Sequence, residues 1–121
     1  MQELENGQIY DGSFVKGIRH GYGQCQFDDG SFYRGDWKNG AMNGYGEMVW
    51  PDGRVYRGDW QKNYLHGHGE YIYNSGAAYR GYFDSDLKHG MGNYTWPNGQ
   101  KIEGEWHHNF LNGRCLFIDI K

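Results

Sequence analysis

Residues 56–78 read Tyr56-Arg57-Gly58-Asp59-Trp60-Gln61-Lys62-Asn63-Tyr64-Leu65-His66-Gly67-His68-Gly69-Glu70-Tyr71-Ile72-Tyr73-Asn74-Ser75-Gly76-Ala77-Ala78. In Tyr56–Trp60, ring, glycine and ring alternate with charged residues. From Gly67 to Tyr73, one face carries Gly, Gly, Tyr and Tyr. A period of two marks a strand buried on one face only. Asn74-Ser75-Gly76 then suits a three-residue hairpin loop, a type I turn closed by glycine in the left-handed region. His66-Gly67 is read as the end of a longer loop inside the unit, because His tolerates positive φ and Gly adopts it at no steric cost. The stretch is therefore a β-hairpin.

Outward from it, the same unit recurs with a period of 23 residues. Tyr10, Tyr33, Tyr56, Tyr79 and Ile102 mark the phase. Gly12, Gly35, Gly58, Gly81 and Gly104 follow two residues later, and Phe14, Trp37, Trp60, Phe83 and Trp106 two later still. Asp28-Asp29-Gly30, Pro51-Asp52-Gly53 and Pro97-Asn98-Gly99 repeat the three-residue loop, while His20-Gly21, Asn43-Gly44, His89-Gly90 and Asn112-Gly113 repeat the inner one. Successive hairpins should pair into one antiparallel sheet. The loops set the register: Trp50 faces Arg54, Met48 faces Tyr56 and Gly46 faces Gly58, and next door Tyr71 faces Tyr79 and Gly69 faces Gly81. The glycines leave slots over which rings lie flat, so the core is rings on backbone.

Composition agrees. Glycine supplies 21 of 121 residues, against a usual share of roughly 7%. Proline is 2, which excludes a collagen or a proline-rich linker. Aromatics at 18% exclude a disordered chain, and 37% apolar content is too little for a thick two-layer core. With 12 basic and 15 acidic residues well mixed, the net charge of −3 argues against nucleic acid as a partner. No apolar run approaches the roughly 20 residues of a membrane helix, and the start lacks the basic and apolar regions of a signal peptide. A reduced cytoplasmic protein is expected.

The pattern Tyr-x-Gly-x-Trp-x-x-Gly-x-x-His-Gly-x-Gly closely resembles the MORN (membrane occupation and recognition nexus) repeat along the whole chain. The resemblance implies an all-β, elongated, single-layer antiparallel solenoid of hairpins and a single domain over 1–121. Within it, 1–9 is a half-repeat or cap, 10–32, 33–55, 56–78 and 79–101 are full repeats, and 102–121 is an altered last repeat. Asn63, Asp86 and Asn109 replace glycine in the inner turn, Asn43 and Asn112 replace His, and Cys115 replaces a strand glycine. By resemblance, such proteins serve membrane–cytoskeleton junctions, cilia and division scaffolds.

Catalytic and metal chemistry find little footing. His20, His66 and His89 hold one repeat position, so neighbours stand two strands, about 9–10 Å, apart. Zinc ligands lie ~2.0–2.3 Å from the ion, so this row forms no single-ion site, and no ligand-type spacing unites His107-His108 with His66 and His68. Cys25 and Cys115 lie eight strands, roughly 35–40 Å, apart and cannot pair within a chain, which requires Cα atoms within ~7 Å. The Gly-x-Gly pairs lead into strands and cradle no phosphate. No enzyme, cofactor or metal is expected.

Two faces remain. Arg34, Arg57 and Arg80 form a row suited to anionic phospholipid head groups, although Asp36 and Asp59 beside them suggest a solvated charge ladder. The aromatic face presents Tyr33, Trp37, Trp50, Tyr56, Trp60, Tyr73, Tyr79, Phe83, Trp96 and Trp106. A single sheet is not expected to bury all of it, and exposed apolar patches rich in Tyr and Trp mark interaction sites. The reading is a non-enzymatic scaffold whose ring-lined groove takes a helical or extended peptide, with phospholipid binding as the alternative. Leu116, Phe117 and Ile118 make the last strand aliphatic. An open edge of that kind points to a homodimer through the end strand.

Overall fold

The computed structural model describes the backbone of residues 2–3 and 7–118 and the side chains of residues 7–111. Over these residues the chain is all-β. Eleven strands form one open sheet in sequence order, each antiparallel to the next. Gln2–Glu3 (β1) and Ile9–Val15 (β2) open it. Then follow Ile18–Gln26 (β3), Phe32–Lys38 (β4), Ala41–Val49 (β5), Val55–Gln61 (β6), Tyr64–Ile72 (β7), Ala78–Asp84 (β8), Leu87–Thr95 (β9), Lys101–His107 (β10) and Phe110–Ile118 (β11).

The outer loops take the expected form. Trp50 and Arg54 close one, with Trp50 N–H donating to Arg54 O at 3.0 Å and Gly53 N–H donating back to Trp50 O at 3.0 Å. Gly53 sits at φ +99°, where a Cβ would be strained. The register beyond is the one expected, with Met48 opposite Tyr56, Gly46 opposite Gly58, and Tyr71 opposite Tyr79.

The inner connection differs from the expected long loop. The chain reverses in two residues, Asn39-Gly40, Lys62-Asn63, Ser85-Asp86 and His108-Asn109, with positive φ at both positions. That is the type I′ geometry, whose twist matches that of the flanking strands. Each turn is docked on the preceding repeat. Asn63 N–H donates to Met42 O at 3.0 Å while its Oδ1 accepts from Met42 N–H at 2.8 Å; Asp86 and Leu65, and Asn109 and Lys88, repeat the exchange. This docking holds Lys62 and Ser85 in a region that such residues rarely adopt. The residues replacing glycine there therefore add an acceptor as well as tolerating the turn.

His66-Gly67 and its equivalents consequently lie inside the second strand, not in a loop. Gly58 pairs with Gly69 and Trp60 with Leu65, so Asp59 alone opposes His66, Gly67 and His68. In this bulge the glycine takes the positive φ (+110° at Gly67) and the histidine does not. The histidine instead reaches the next turn: His20 Nδ1 accepts from Asn39 N–H at 3.3 Å and His66 Nδ1 from Ser85 N–H at 3.4 Å. Asn43 does the same through Oδ1, accepting from Lys62 N–H at 3.2 Å.

The core is a file of rings along the aromatic face. Tyr56 lies over Gly69, where a Cβ would overlap the phenol, and its hydroxyl donates to Asp59 O at 2.9 Å. Its ring meets Trp60 of its own repeat at 5.3 Å and Phe83 of the next at 5.4 Å, both edge-on. Tyr33 sits likewise between Trp37 and Trp60, and Tyr79 between Phe83 and Trp106. Edge-to-face pairs contribute about 0.5–1.5 kcal/mol each beyond their area. Trp37 and Trp60 also donate their indole N–H to Gly23 O and Gly46 O, both at 3.1 Å.

Candidate functional site

Of the ten rings expected to receive a partner, seven are interior. Tyr33, Tyr56 and Tyr79 are fully buried, and Trp37, Trp60, Phe83 and Trp106 nearly so. The expectation that one sheet leaves this face open is corrected for these seven. Each tyrosine is enclosed by two rings and a pair of glycines; Met42 and Leu65 lie opposite Trp37 and Trp60, and Lys88 lies opposite Phe83. Burial pushes the phenols of Tyr33 and Tyr56 well above their ordinary value and that of Tyr79 to about 12.

Trp50, Tyr73 and Trp96 remain half-buried, at the strand ends beside the three-residue loops. Tyr71 and Tyr94, outside the ten expected rings, complete a continuous row. Trp50–Tyr71 centroids are 5.6 Å apart, Tyr71–Tyr73 4.8 Å, Tyr73–Tyr94 5.6 Å and Tyr94–Trp96 4.9 Å. The 23-residue spacing of Trp50, Tyr73 and Trp96 was visible in the sequence; Tyr71 and Tyr94 share one repeat position with Met48, which hides their kinship.

Cations flank this row. Arg54 lies over the Trp50 ring at 4.8 Å and donates to the Tyr71 hydroxyl at 2.8 Å. Lys88 donates to the Tyr73 hydroxyl at 3.2 Å and stands 5.4 Å from the Trp106 ring; burial holds its pKa below the ordinary value. Arg19 covers Trp37 at 4.5 Å in the first repeat. A cleft of about 350 Å³ opens between Trp50, Arg54, Tyr71 and Asp86, and an apolar one of about 170 Å³ between Tyr94, Trp96, Ile102 and Trp106.

On the opposite face the arginine row is ion-paired, with partners other than those expected. Arg34 meets Glu47 at 3.2 Å, Arg57 meets Glu47 at 2.5 Å and Glu70 at 3.8 Å, and Arg80 meets Glu70 at 2.6 Å. The guanidinium of Arg57, ahead of that of Arg34, holds the Glu47 carboxyl below its usual range. Asp36 and Asp59 are engaged in the bulges instead, accepting from Tyr45 N–H and His68 N–H, both at 3.1 Å. Beside the ladder runs an apolar stripe that the sequence reading missed. Phe32, Val49, Val55, Ile72 and Ala78 pair in succession across β4 to β8.

The histidines also depart from expectation at one place. His89, His107 and His108 each offer a ring nitrogen within 4.8 Å of the others. Neither the row of histidines nor a pairing with His66 and His68 gives this grouping; the register of β9 and β10 does, by bringing His89 beside His107. Cys25 is buried and free, and burial raises its thiol pKa. The side chains of Cys115, Leu116, Phe117 and Ile118 lie outside the described residues; the backbone of Leu116–Ile118 belongs to β11, the last strand of the sheet. No helix among the described residues is long and apolar enough to cross a membrane.

One open sheet of successive similar hairpins, cored by their rings, defines a β-hairpin repeat protein. The family model for the MORN repeat matches residues 10–32, 33–53, 56–78, 79–101 and 103–119. The chain belongs to the MORN-repeat family. No curated protein matches it in sequence. Among solved structures it is similar to the SAS-4 (dCPAP) TCP domain of Drosophila melanogaster, determined in complex with a proline-rich motif of Ana2 (dSTIL). The identity is 16% and the TM-score 0.48, over 70% of this chain and 47% of that one. The chain thus spans about half the length of that relative.

Proposed function

We propose that the chain is a non-enzymatic scaffold that holds a helical or extended peptide segment of a protein partner along Trp50, Tyr71, Tyr73, Tyr94 and Trp96. MORN repeats form binding and scaffolding modules, which sets the class. The observation that carries the finer reading is the half-buried, continuous ring row with a cleft at each end. Half-exposed Tyr and Trp give large contact area at low conformational cost and dominate binding hot spots. Lys88 favours a segment that combines apolar and acidic side chains, whereas Arg54 is already paired with Asp52 at 2.8 Å. The setting proposed is cytoplasmic, at a cytoskeletal, ciliary or membrane-junction structure, as the family resemblance suggests.

The phospholipid reading keeps its residues, Arg34, Arg57 and Arg80, on the exposed face. A head-group phosphate there must displace Glu47 or Glu70, so the peptide reading is favoured. Association through the end strand, by Leu116, Phe117 and Ile118, is the accompanying proposal for self-assembly.

The test begins with capture from the source cell on the immobilised chain and identification of the retained protein. Its binding segment is then titrated against variants. Trp50→Ala with Trp96→Ala should weaken binding by about 2 kcal/mol or more, the scale of a hot spot. Arg34→Glu, Arg57→Glu and Arg80→Glu together should leave it unchanged. Binding to anionic vesicles at physiological salt, abolished by the triple Glu variant, would favour the lipid instead.

A further inference from the structure

We propose that His89, His107 and His108 form a binding site for a late first-row divalent cation, Zn²⁺ being the ion to test. The site follows from the register. Gly90 of β9 faces Trp106 of β10, so one step further along His89 lies beside His107. His108 begins the type I′ turn at φ 44°, which returns its ring over the other two. Ring centroids stand 5.0 Å (His89–His107), 4.8 Å (His89–His108) and 4.5 Å (His107–His108) apart.

The repeat does not generate this grouping by itself. Positions equivalent to His107 hold Val15, Lys38, Gln61 and Asp84, and those equivalent to His108 hold Lys16, Asn39, Lys62 and Ser85. Elsewhere the row histidine bonds the next turn, as His20 and His66 do. At His89 the corresponding Nδ1 is buried and has no hydrogen-bond partner. A buried imidazole nitrogen without a partner costs free energy, and a bound cation would satisfy it.

The chemistry matches. Neutral imidazole suits Zn²⁺, Cu²⁺ and Ni²⁺, and three imidazoles with an open fourth position make a recurrent zinc site. Behind His108, Nε2 stands 3.7 Å from Asp84 Oδ2, a carboxylate placed to orient the ring and leave Nδ1 for the ion. Asp84 Oδ1 is in turn 3.4 Å from His66 Nδ1. Ligand nitrogens around tetrahedral zinc lie about 3.3 Å apart, so nitrogens now within 4.8 Å of one another draw together by up to roughly 1.5 Å on binding. His107 and His108 are exposed and free to make that movement. A bound ion ties β9, β10 and the turn between β10 and β11, pinning the last hairpin to the array.

The full chain is titrated with ZnCl₂ by calorimetry, and with Co²⁺ followed by its visible spectrum. The expected result is one ion per chain, a tetrahedral cobalt spectrum and a melting temperature raised by zinc. His107→Ala and His89→Asn should each weaken binding by more than about 10-fold, the loss seen on removing even an outer partner. His20→Ala, at the equivalent row position, should bind as the parent does. Circular dichroism of each variant establishes that it is folded, and His107→Ala alters only an exposed side chain. Absence of saturable binding, unchanged affinity in a folded His107→Ala chain, or one ion shared between two chains would overturn the assignment.

Discussion

At the scale of single residues, the fold depends on glycines that lie beneath rings. A Cβ at Gly58 would meet Gly69 Cα, His68 O at 2.6 Å and the Tyr56 hydroxyl at 2.7 Å, two of them backbone atoms. Gly58→Val should therefore destabilise by more than about 2 kcal/mol, within the overpacking range with strain added, read as a lower melting temperature. An unchanged transition would mean that the ring does not lie there. The same rings set an alkaline limit. Tyr33, Tyr56 and Tyr79 keep their protons above the ordinary value of about 10 that applies once they are exposed. Between pH 10 and the folded values, the unfolded chain binds fewer protons than the folded one, so stability falls as pH rises. Stability measured in denaturant should decline steeply above pH 10, with tyrosinate absorbance appearing together with unfolding.

At the scale of the element, the inner turn is the part that sequence reasoning misread. The outer loops were readable because Asp-Gly and Pro-Asp-Gly impose their geometry locally. Lys62-Asn63 and Ser85-Asp86 impose nothing of the kind; their conformation is held by bonds 21 residues back along the chain. The His-Gly pair was assigned to that turn because glycine there does adopt positive φ, but for a bulge. Asn63→Gly should keep the backbone and lose only the bond to Met42 N–H, costing about 1 kcal/mol. Asn63→Ala should cost more, because alanine must also hold φ 72°. Gly40 occupies the same repeat position without a side chain, so Gly40→Asn should raise the melting temperature. If all three variants melt with the parent, the turn is not docked as described.

For the whole molecule, the 23-residue period made the sheet, its order and its register readable. The division of the aromatic face was not. Tyr and Trp recur at interior and half-buried positions alike, and periodicity alone does not distinguish Trp60, enclosed by two tyrosines, from Trp50 at a strand end. Only the packing of consecutive repeats does so. The histidine triad was hidden for the opposite reason, since it arises where the sequence leaves its own period. β11 is the outermost strand among the described residues, and the backbone groups of an outer strand invite pairing. Sedimentation over a concentration range should show association that Leu116→Lys with Ile118→Lys abolishes. A monomer at every concentration would leave β11 as a plain cap. One set of rings builds the array, and Trp50, Tyr71, Tyr73, Tyr94 and Trp96 are proposed to meet the partner. Hydroxyl-radical footprinting, read residue by residue in the free chain and with the captured partner bound, tests both halves at once. Trp50, Tyr73 and Trp96 should be modified in the free chain and protected in the complex, with Tyr33, Tyr56 and Tyr79 unmodified in either. Ready modification of those three tyrosines, or protection confined to the Arg34, Arg57 and Arg80 face, would contradict it.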